Sequence, residues 1–163
     1  MPEAKTNAMR MLEKEKIAYT PHIYDHGDGA IDGVSVAHKL SEPVERVFKT
    51  LVTKGASGNY FVFVIPVHRE LSLKAAARSV GEKSVAMIRV DEINKVTGYI
   101  RGGCSPVGMK KFFKTTIDST AENCETFCIS AGKIGYQVEL SPRDLAKVIR
   151  YQMADLTVDH GEA

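Results

Sequence analysis

Lys49 is the residue whose place in the sequence is hardest to explain without a chemical role. It lies in Val47–Thr53, a stretch rich in strand-forming residues. Alternation along a strand puts Lys49 on the same face as Val47 and Leu51. Burying a lysine between apolar neighbours is costly unless it has a partner. Two interpretations remain open: the side chain reaches water at the edge of the sheet, or it supplies a fixed cation in a wet pocket.

The second candidate for chemistry is the stretch from Gly98 to Gly108, in which four of eleven residues are glycine and one is proline. This composition excludes a helix interior or a central strand, because glycine loses backbone entropy and proline lacks an N–H donor. An ordered turn remains. Its small residues would let a ligand approach the main chain, whose N–H groups can bind an anion or a carbonyl oxygen. A purely structural turn is the other interpretation.

The cysteines and histidines give weaker signals. His22 and His26 lie four residues apart, as do Cys124 and Cys128, but neither spacing matches the usual zinc patterns. Cys104 lies within the glycine-rich turn and is a candidate nucleophile, although no histidine is adjacent to activate it. We therefore expect neither a metal site nor another cofactor.

Basic residues gather around these candidates, and they suit either phosphate recognition or a solvated surface. They are Lys49, Lys54, Arg101, Lys110, Lys111, Lys114 and Lys133. The formal net charge is only +2, which does not indicate a strongly electrostatic nucleic-acid binder but leaves room for a local basic patch.

The length of 163 residues, with 44% hydrophobic and 26% charged residues, is typical of one globular domain. No apolar run approaches the roughly 20 residues of a membrane helix, and the polar N-terminus has no signal-peptide pattern. Three cysteines cannot all pair within one chain, which favours reduced thiols. We expect a cytoplasmic protein that does not engage membranes.

Periodicity and capping signals predict about five helices and six or seven strands. The predicted helices cover 4–16, 34–40, 72–80, 91–96 and 141–151, and the predicted strands cover 19–25, 47–53, 59–66, 84–90, 112–117, 126–130 and 134–140. Because these do not alternate strictly, the expected class is α+β, with a mixed, largely antiparallel curved sheet or partial barrel and flanking helices. We expect one domain over residues 1–156 and a polar tail over 157–163.

Three motifs stand in the order and spacing of the YbaK family, and the resemblance covers nearly the whole chain. They are Phe48-Lys49-Thr50-Leu51, the run Thr97-Gly98-Tyr99 leading to Gly102-Gly103-Cys104-Ser105-Pro106-Val107-Gly108, and Ser130-Ala131-Gly132-Lys133-Ile134-Gly135-Tyr136-Gln137. That family comprises free-standing aminoacyl-tRNA deacylases related to the editing domain of bacterial prolyl-tRNA synthetases. The resemblance implies the same fold and an aminoacyl-tRNA substrate. The low net charge suggests weak, non-selective contact with the tRNA body, so we expect a partner, prolyl-tRNA synthetase, to supply selectivity, and we expect no DNA partner.

The resemblance also implies roles for individual residues. Lys49 would be the essential cation, and Gly103 matches the key glycine of the catalytic loop. The implied substrate-binding residues are Tyr24, Ile31, Thr50, Gly102, Cys104, Ser105, Ser130, Gly132 and Gln137. Two of them depart from the family pattern, since Gln137 replaces an aspartate of some members and Ile31 stands where an aromatic residue is expected.

The activity implied is removal of a mischarged amino acid, foremost cysteine, from tRNA(Pro). In this family the substrate's own thiol is thought to attack its ester, so the enzyme needs no nucleophile, and main-chain N–H groups of residues 102–104 would stabilise the developing oxyanion. A water oriented by pocket groups would suit alanyl or seryl esters. The alternatives are a deacylase for another amino acid, such as alanine, and a non-catalytic module that binds tRNA or a synthetase.

Overall fold

The computed structural model of the protein describes residues 5–158. Five α-helices are present in this part of the chain: α1 (Asn7–Lys14), α2 (Gly33–Leu40), α3 (Leu73–Val80), α4 (Val90–Thr97) and α5 (Pro142–Leu145). Ten strands accompany them: β1 (Thr20–Ile23), β2 (Phe48–Gly55), β3 (Tyr60–Pro66), β4 (Glu70–Leu71), β5 (Val85–Met87), β6 (Lys114–Asp118), β7 (Phe127–Ser130), β8 (Tyr136–Leu140), β9 (Tyr151–Ala154) and β10 (Thr157–Val158). Two 3₁₀ helices cover Val44–Arg46 and Ser119–Asn123.

The largest sheet has five strands in the order β5-β2-β3-β6-β9. β2 and β3, the predicted strands 47–53 and 59–66, form an antiparallel hairpin that pairs Lys49 with Ile65. β5 runs antiparallel to β2, whereas β6 and β9 are parallel to their neighbours, so the sheet is mixed. A three-stranded antiparallel sheet, β1-β8-β7, meets the large sheet through a bridge between Val47 and Cys128. The predicted α+β class with a mixed sheet is confirmed.

The two faces of the β2–β3 hairpin are covered by different layers. Phe48, Val62 and Val64 pack on one face with α1 and with the β7–β8 strands. Phe61, Phe63 and Ile65 pack on the other face against α3. Because β3 is buried along almost its whole length, the hairpin forms the rigid centre from which the start of β2 presents Lys49.

Side-chain caps fix the helix starts that the sequence predicts. Ser72 accepts a hydrogen bond from the Ala75 N–H, and Gly81 ends α3 in the left-handed conformation. Asp32 caps α2 in the same way, and Ser141 caps α5. α4 begins one residue before the predicted range 91–96, with Arg89 at its N-cap position.

The largest difference from the sequence prediction is at the C-terminal end. The predicted helix 141–151 ends at Leu145, and Tyr151–Ala154 form β9, which pairs with Thr115–Asp118. Tertiary pairing to an open strand edge overrides the helical spacing of Val148 and Ile149. Thr157 and Val158, assigned to the polar tail, pair with Glu70 and Leu71, while residues 159–163 of that tail lie outside the described residues.

Candidate functional site

A cavity of about 510 Å³ lies between the start of β2, the 24–36 segment and the glycine-rich segment. We call it the main cavity. Eight of the eleven predicted site residues line it: Tyr24, Ile31, Lys49, Thr50, Gly102, Cys104, Ser130 and Gln137. Gly103, Ser105 and Gly132 do not line it. The fold therefore brings together side chains that are more than a hundred positions apart in the sequence.

Lys49 is half-buried at the wall of the main cavity. Burial lowers the pKa of its ammonium group, and the negative charge of the exposed Glu70 partly opposes this shift. Lys49 makes no ion pair or hydrogen bond with another residue of the described chain. It is thus a cation at a cavity wall with no direct ion pair to a described residue, which is the arrangement expected of a group that binds a substrate anion or carbonyl.

Two polar atoms in the main cavity lack partners. Gln137 is only 6% exposed, yet its Oε1 accepts no hydrogen bond from any described residue. Thr50 Oγ1 is also buried and forms no hydrogen bond with any described residue. Buried polar atoms are rarely left unsatisfied, because each one costs about 1–3 kcal/mol. Their presence together with Lys49 marks a surface that a polar ligand would complete.

The glycine-rich segment turns so that Gly102, and not Gly103, borders the cavity. Gly102 has φ +87°, in the left-handed region, and an added Cβ would lie 3.0 Å from Ile31 Cδ1. The Gly103 N–H donates to the Ile100 carbonyl at 3.0 Å, and a Cβ there would meet the Ile134 backbone nitrogen at 3.2 Å. The expectation of three oxyanion-binding N–H groups is therefore reduced to those of Gly102 and Cys104, which have no acceptor among the described residues.

The other two residues outside the cavity wall stabilise its loops. The Ser105 Oγ accepts a hydrogen bond from the Val107 N–H at 3.2 Å and is fully buried. The Gly132 N–H donates to Ser130 Oγ at 3.1 Å, and Tyr99 packs against Gly132 where a side chain would clash. The Tyr99 hydroxyl donates to the Val107 carbonyl at 2.5 Å, which closes the glycine-rich segment.

Lys39 holds the loop that carries Ile31. Its ammonium group donates to the Asp25 carbonyl at 2.7 Å, to Asp28 Oδ1 at 2.8 Å and to the Ala30 carbonyl at 3.0 Å. Sequence reasoning did not assign Lys39 a role. The only signal for it was the Gly27-Asp28-Gly29 turn that it stabilises.

The thiol in the main cavity is poorly suited to attack an ester. Burial raises the pKa of Cys104 to about 11. No histidine within the described part of the chain lines the main cavity. Asp32, the one carboxylate there, is exposed and caps α2 through the Ser35 N–H at 3.1 Å. The cavity thus supplies a cation, acceptors and main-chain donors rather than a nucleophile with its base.

Several lining residues were not foreseen from the sequence. Met87, Val90 and Ile93 form an apolar side of the cavity, and Met87 and Val90 are 47% and 57% exposed. Of the basic cluster, only Lys49 and Arg101 line the cavity, while Lys133 lies over the Tyr136 ring. An exposed apolar residue in a short strand or helix start gives no local signal for a cavity mouth.

One possible metal-ligand cluster exists among the described residues. It includes one histidine of the pair His22 and His26 and one cysteine of the pair Cys124 and Cys128. Candidate ligand atoms of His22, Cys128 and Glu139 lie within 4.8 Å of one another. His22 Nε2 hydrogen-bonds to Glu139 Oε1 at 2.8 Å, and Thr126 Oγ1 donates to Glu139 Oε2 at 2.5 Å. Arg46 adds an ion pair to the same carboxylate at 3.4 Å. Protein groups therefore hydrogen-bond to both carboxylate oxygens of Glu139.

Comparison with known proteins decides the family. The family described as the aminoacyl-tRNA editing domain matches residues 31–148. The chain is an aminoacyl-tRNA editing domain. The predicted family resemblance and the enzyme class that it implies, an aminoacyl-tRNA deacylase, are confirmed.

The relatives of this editing domain are of two kinds. It is 41% identical over 155 residues to EbsC of Enterococcus faecalis, a candidate Cys-tRNA(Pro)/Cys-tRNA(Cys) deacylase. The aligned residues cover 95% of this chain and 94% of EbsC. It is 31% identical over 122 residues to a proline–tRNA ligase of Fervidobacterium nodosum, covering 75% of this chain and only 20% of the ligase. A domain resembling this chain is therefore part of a much longer synthetase.

Solved structures confirm the fold of the editing domain. A candidate trans-editing enzyme for prolyl-tRNA synthetase superposes with a TM-score of 0.79 at 20% identity, covering 96% of this chain and all of the other. The hypothetical protein APE2540 gives a TM-score of 0.82 at 21% identity, covering 91% and 97%. Among the described residues of the editing domain, none of the helices is long and apolar enough to span a membrane.

Proposed function

We propose that this protein is a trans-editing deacylase that removes a mischarged amino acid, foremost cysteine, from tRNA(Pro). The observation that carries the proposal is the half-buried, unpaired Lys49, which shares the main cavity with Gly102 and with the unsatisfied acceptors of Thr50 and Gln137. The name of EbsC supports the choice of amino acid and tRNA.

The cavity groups match the parts of an aminoacyl ester. Lys49 binds the electronegative ribose and phosphate of the terminal nucleotide. The α-ammonium of the amino acid donates to Gln137 Oε1 and Thr50 Oγ1, which satisfies both acceptors. The N–H groups of Gly102 and Cys104 are available to the ester oxygen as it becomes an oxyanion.

The substrate supplies the nucleophile. The cysteinyl sulfur attacks its own ester carbonyl carbon, the carbon–oxygen bond to the ribose breaks, and the ribose oxygen receives the thiol proton. The products are the free tRNA and a cyclic thiolactone. This route fits a cavity whose own thiol is held neutral by burial and which no histidine between positions 5 and 158 lines. An ester is already activated, so holding the two reacting groups together supplies much of the acceleration.

A deacylation panel tests the proposal. tRNA(Pro) charged with cysteine, alanine, serine or proline is incubated with the wild type, Lys49→Ala and Lys54→Ala. Lys54 is exposed on the same strand and serves as the control. We expect cysteinyl-tRNA to be hydrolysed fastest, Lys49→Ala to lose at least a hundredfold in rate and Lys54→Ala to be unchanged. Full activity of Lys49→Ala removes the basis of the assignment.

S-methylcysteinyl-tRNA(Pro) separates the two chemical routes, because its sulfur is blocked. Its survival indicates attack by the substrate thiol, whereas hydrolysis at the cysteinyl rate indicates an oriented water. Fast release of alanine in the panel would identify the alternative amino acid. A protein that binds tRNA but releases no amino acid would be the non-catalytic module.

We also propose prolyl-tRNA synthetase as the partner that supplies tRNA selectivity. The net charge of +2 favours weak, non-selective contact with the tRNA body. Deacylation of cysteinylated tRNA(Pro) and of another cysteinylated tRNA is compared with and without the synthetase. Equal discrimination by the isolated protein would contradict this partnership.

A further inference from the structure

A second concave surface lies at the other end of the glycine-rich segment, and the proposed chemistry does not use it. This groove has a volume of about 680 Å³ and lies between α1, residues 106–115 and residues 146–150. Its floor is apolar, with Met11, Phe113 and Ile149, and its rim carries Lys111, Lys147 and Arg150. We call it the basic groove.

The charged residues that line the basic groove within positions 5–158 are all basic. No aspartate or glutamate is among the described residues that line it. Lys111 and Arg150 are exposed and make no ion pair with any residue between positions 5 and 158, while Lys147 pairs with Asp144 at 3.0 Å. Two unpaired cations on one concave surface favour an occupant that carries negative charge.

An exposed aromatic residue lines the same groove as these cations. Phe112 follows Lys111 directly, lines the groove and is 64% exposed, the highest exposure among the large hydrophobic residues described. Single-stranded nucleic acids bind to surfaces of this kind, because bases stack on aromatic rings while phosphates pair with neighbouring cations.

One short segment of the chain connects the basic groove with the main cavity. Gly102 and Cys104 line the main cavity, and Pro106 and Gly108 line the basic groove. Six residue steps separate Gly102 from Gly108, which span at most roughly 20 Å. Tyr99 packs at Gly108 and donates to the Val107 carbonyl, so the segment holds both sites in a fixed relation.

We infer that the basic groove binds the acceptor arm of the substrate tRNA, with one unstacked base of the single-stranded 3′ end on Phe112 and phosphates at Lys111 and Arg150. The inference rests on the proposed function, since the aminoacyl ester at the 3′ end must lie in the main cavity while the nucleotides before it cross the protein surface. The groove supplies affinity for RNA, and the main cavity carries out the cleavage.

The test measures RNA binding separately from catalysis. Fluorescence anisotropy with uncharged tRNA(Pro) is recorded over a range of salt concentrations for the wild type and the double variant Lys111→Glu/Arg150→Glu. The control is Lys74→Glu/Arg78→Glu, which changes the net charge equally on the exposed face of α3. We expect at least tenfold weaker binding in the groove variant only, with the salt slope reduced by roughly 1.5.

Phe112 provides a second, uncharged test. Phe112→Leu keeps an apolar side chain but removes the aromatic face, so we expect it to weaken tRNA binding as much as Phe112→Ala. Wild-type affinity of Phe112→Leu would show that apolar contact suffices and would overturn the stacking arrangement. A change in oligomeric state of either groove variant on gel filtration would identify a second copy of the chain as the occupant, which also overturns the inference.

Kinetics distinguish failure of this inference from failure of the proposed function. The groove variants should raise KM for cysteinyl-tRNA(Pro) but leave hydrolysis of cysteinyl-adenosine unchanged, because that substrate ends before the groove. Equal loss on both substrates would overturn a separate binding role. If the wild type cleaves neither substrate, the proposed function fails, while the anisotropy experiment still decides whether RNA binds the groove.

Discussion

Ile31 Cδ1 lies where a side chain on Gly102 would project: a Cβ added there would be 3.0 Å from it, so the 24–31 loop packs closely on the glycine-rich segment. Both residues line the main cavity. Ile31, next to Gly102, shapes one side of the site. Glycine is needed at position 102 for space and for its positive φ.

Gly102→Ala should therefore impair activity more than it impairs stability. The left-handed conformation costs an alanine about 1 kcal/mol, and the added methyl group pushes Ile31 into the main cavity. We expect kcat/KM to fall at least tenfold. Gly58→Ala is the matched control, because Gly58 has φ +92° with open space around its Cβ. Equal kcat/KM in the two variants would contradict the role of Gly102, and urea denaturation measures the shared cost in stability.

Lys49→Met should raise the free energy of unfolding at neutral pH while abolishing deacylation. Burial lowers the pKa of Lys49 from its ordinary value of 10.5, so the protonated lysine is less stable in the folded chain than in the unfolded chain. This cost is fully present below the lowered pKa and disappears as pH rises towards 10.5. The gain in Lys49→Met should shrink over the same window.

Urea denaturation of Lys49→Met and the wild type at several pH values measures this difference. Lys54→Met, at an exposed position of the same strand, should show no comparable gain at neutral pH. A neutral or negative effect of Lys49→Met on stability would show that the folded protein compensates its charge.

Cys104→Ser should retain most of the deacylase activity, within about threefold of the wild type, because a thiol with a pKa of about 11 is neutral at physiological pH. The rate of alkylation of Cys104 should continue to rise up to about pH 11, whereas an ordinary thiol levels off near 9. Activity assays and mass spectrometry of alkylated protein check both statements. A hundredfold loss in a folded Cys104→Ser protein would point to covalent catalysis instead.

Gln137→Met should weaken substrate binding without destabilising the fold. The Gln137 Oε1 accepts no hydrogen bond from a described residue, so its removal should leave the free energy of unfolding unchanged or raise it by up to about 1 kcal/mol. KM should rise, because the α-ammonium loses an acceptor.

Gln152→Met is the control for Gln137→Met, because we expect it to change stability and not KM. The Gln152 amide donates to the Ser79 carbonyl at 2.8 Å and to Thr116 Oγ1 at 3.0 Å, away from the main cavity. This variant should lose about 1–2 kcal/mol of stability with KM unchanged. Unchanged KM in Gln137→Met would contradict its place in the substrate site.

The sequence by itself determined the features that local rules govern. Ser72 and Gly81 bound α3 because a cap and a left-handed glycine satisfy the helix ends within a few residues. The alternation around Lys49 showed that this cation needed an explanation, and three motifs in register identified the family. None of these inferences required knowledge of which strands are neighbours.

Only the tertiary structure decided the features that depend on distant partners. Tyr151–Ala154 became a strand because β6 offered an open edge for pairing, and Gly102 rather than Gly103 reached the cavity because the Lys133–Ile134 backbone packs on Gly103. Adjacent glycines are indistinguishable by local propensity, since the difference between them lies in what the rest of the chain places against each one. The same reason explains why the basic groove, whose walls come from three separate parts of the chain, has no signature in the sequence.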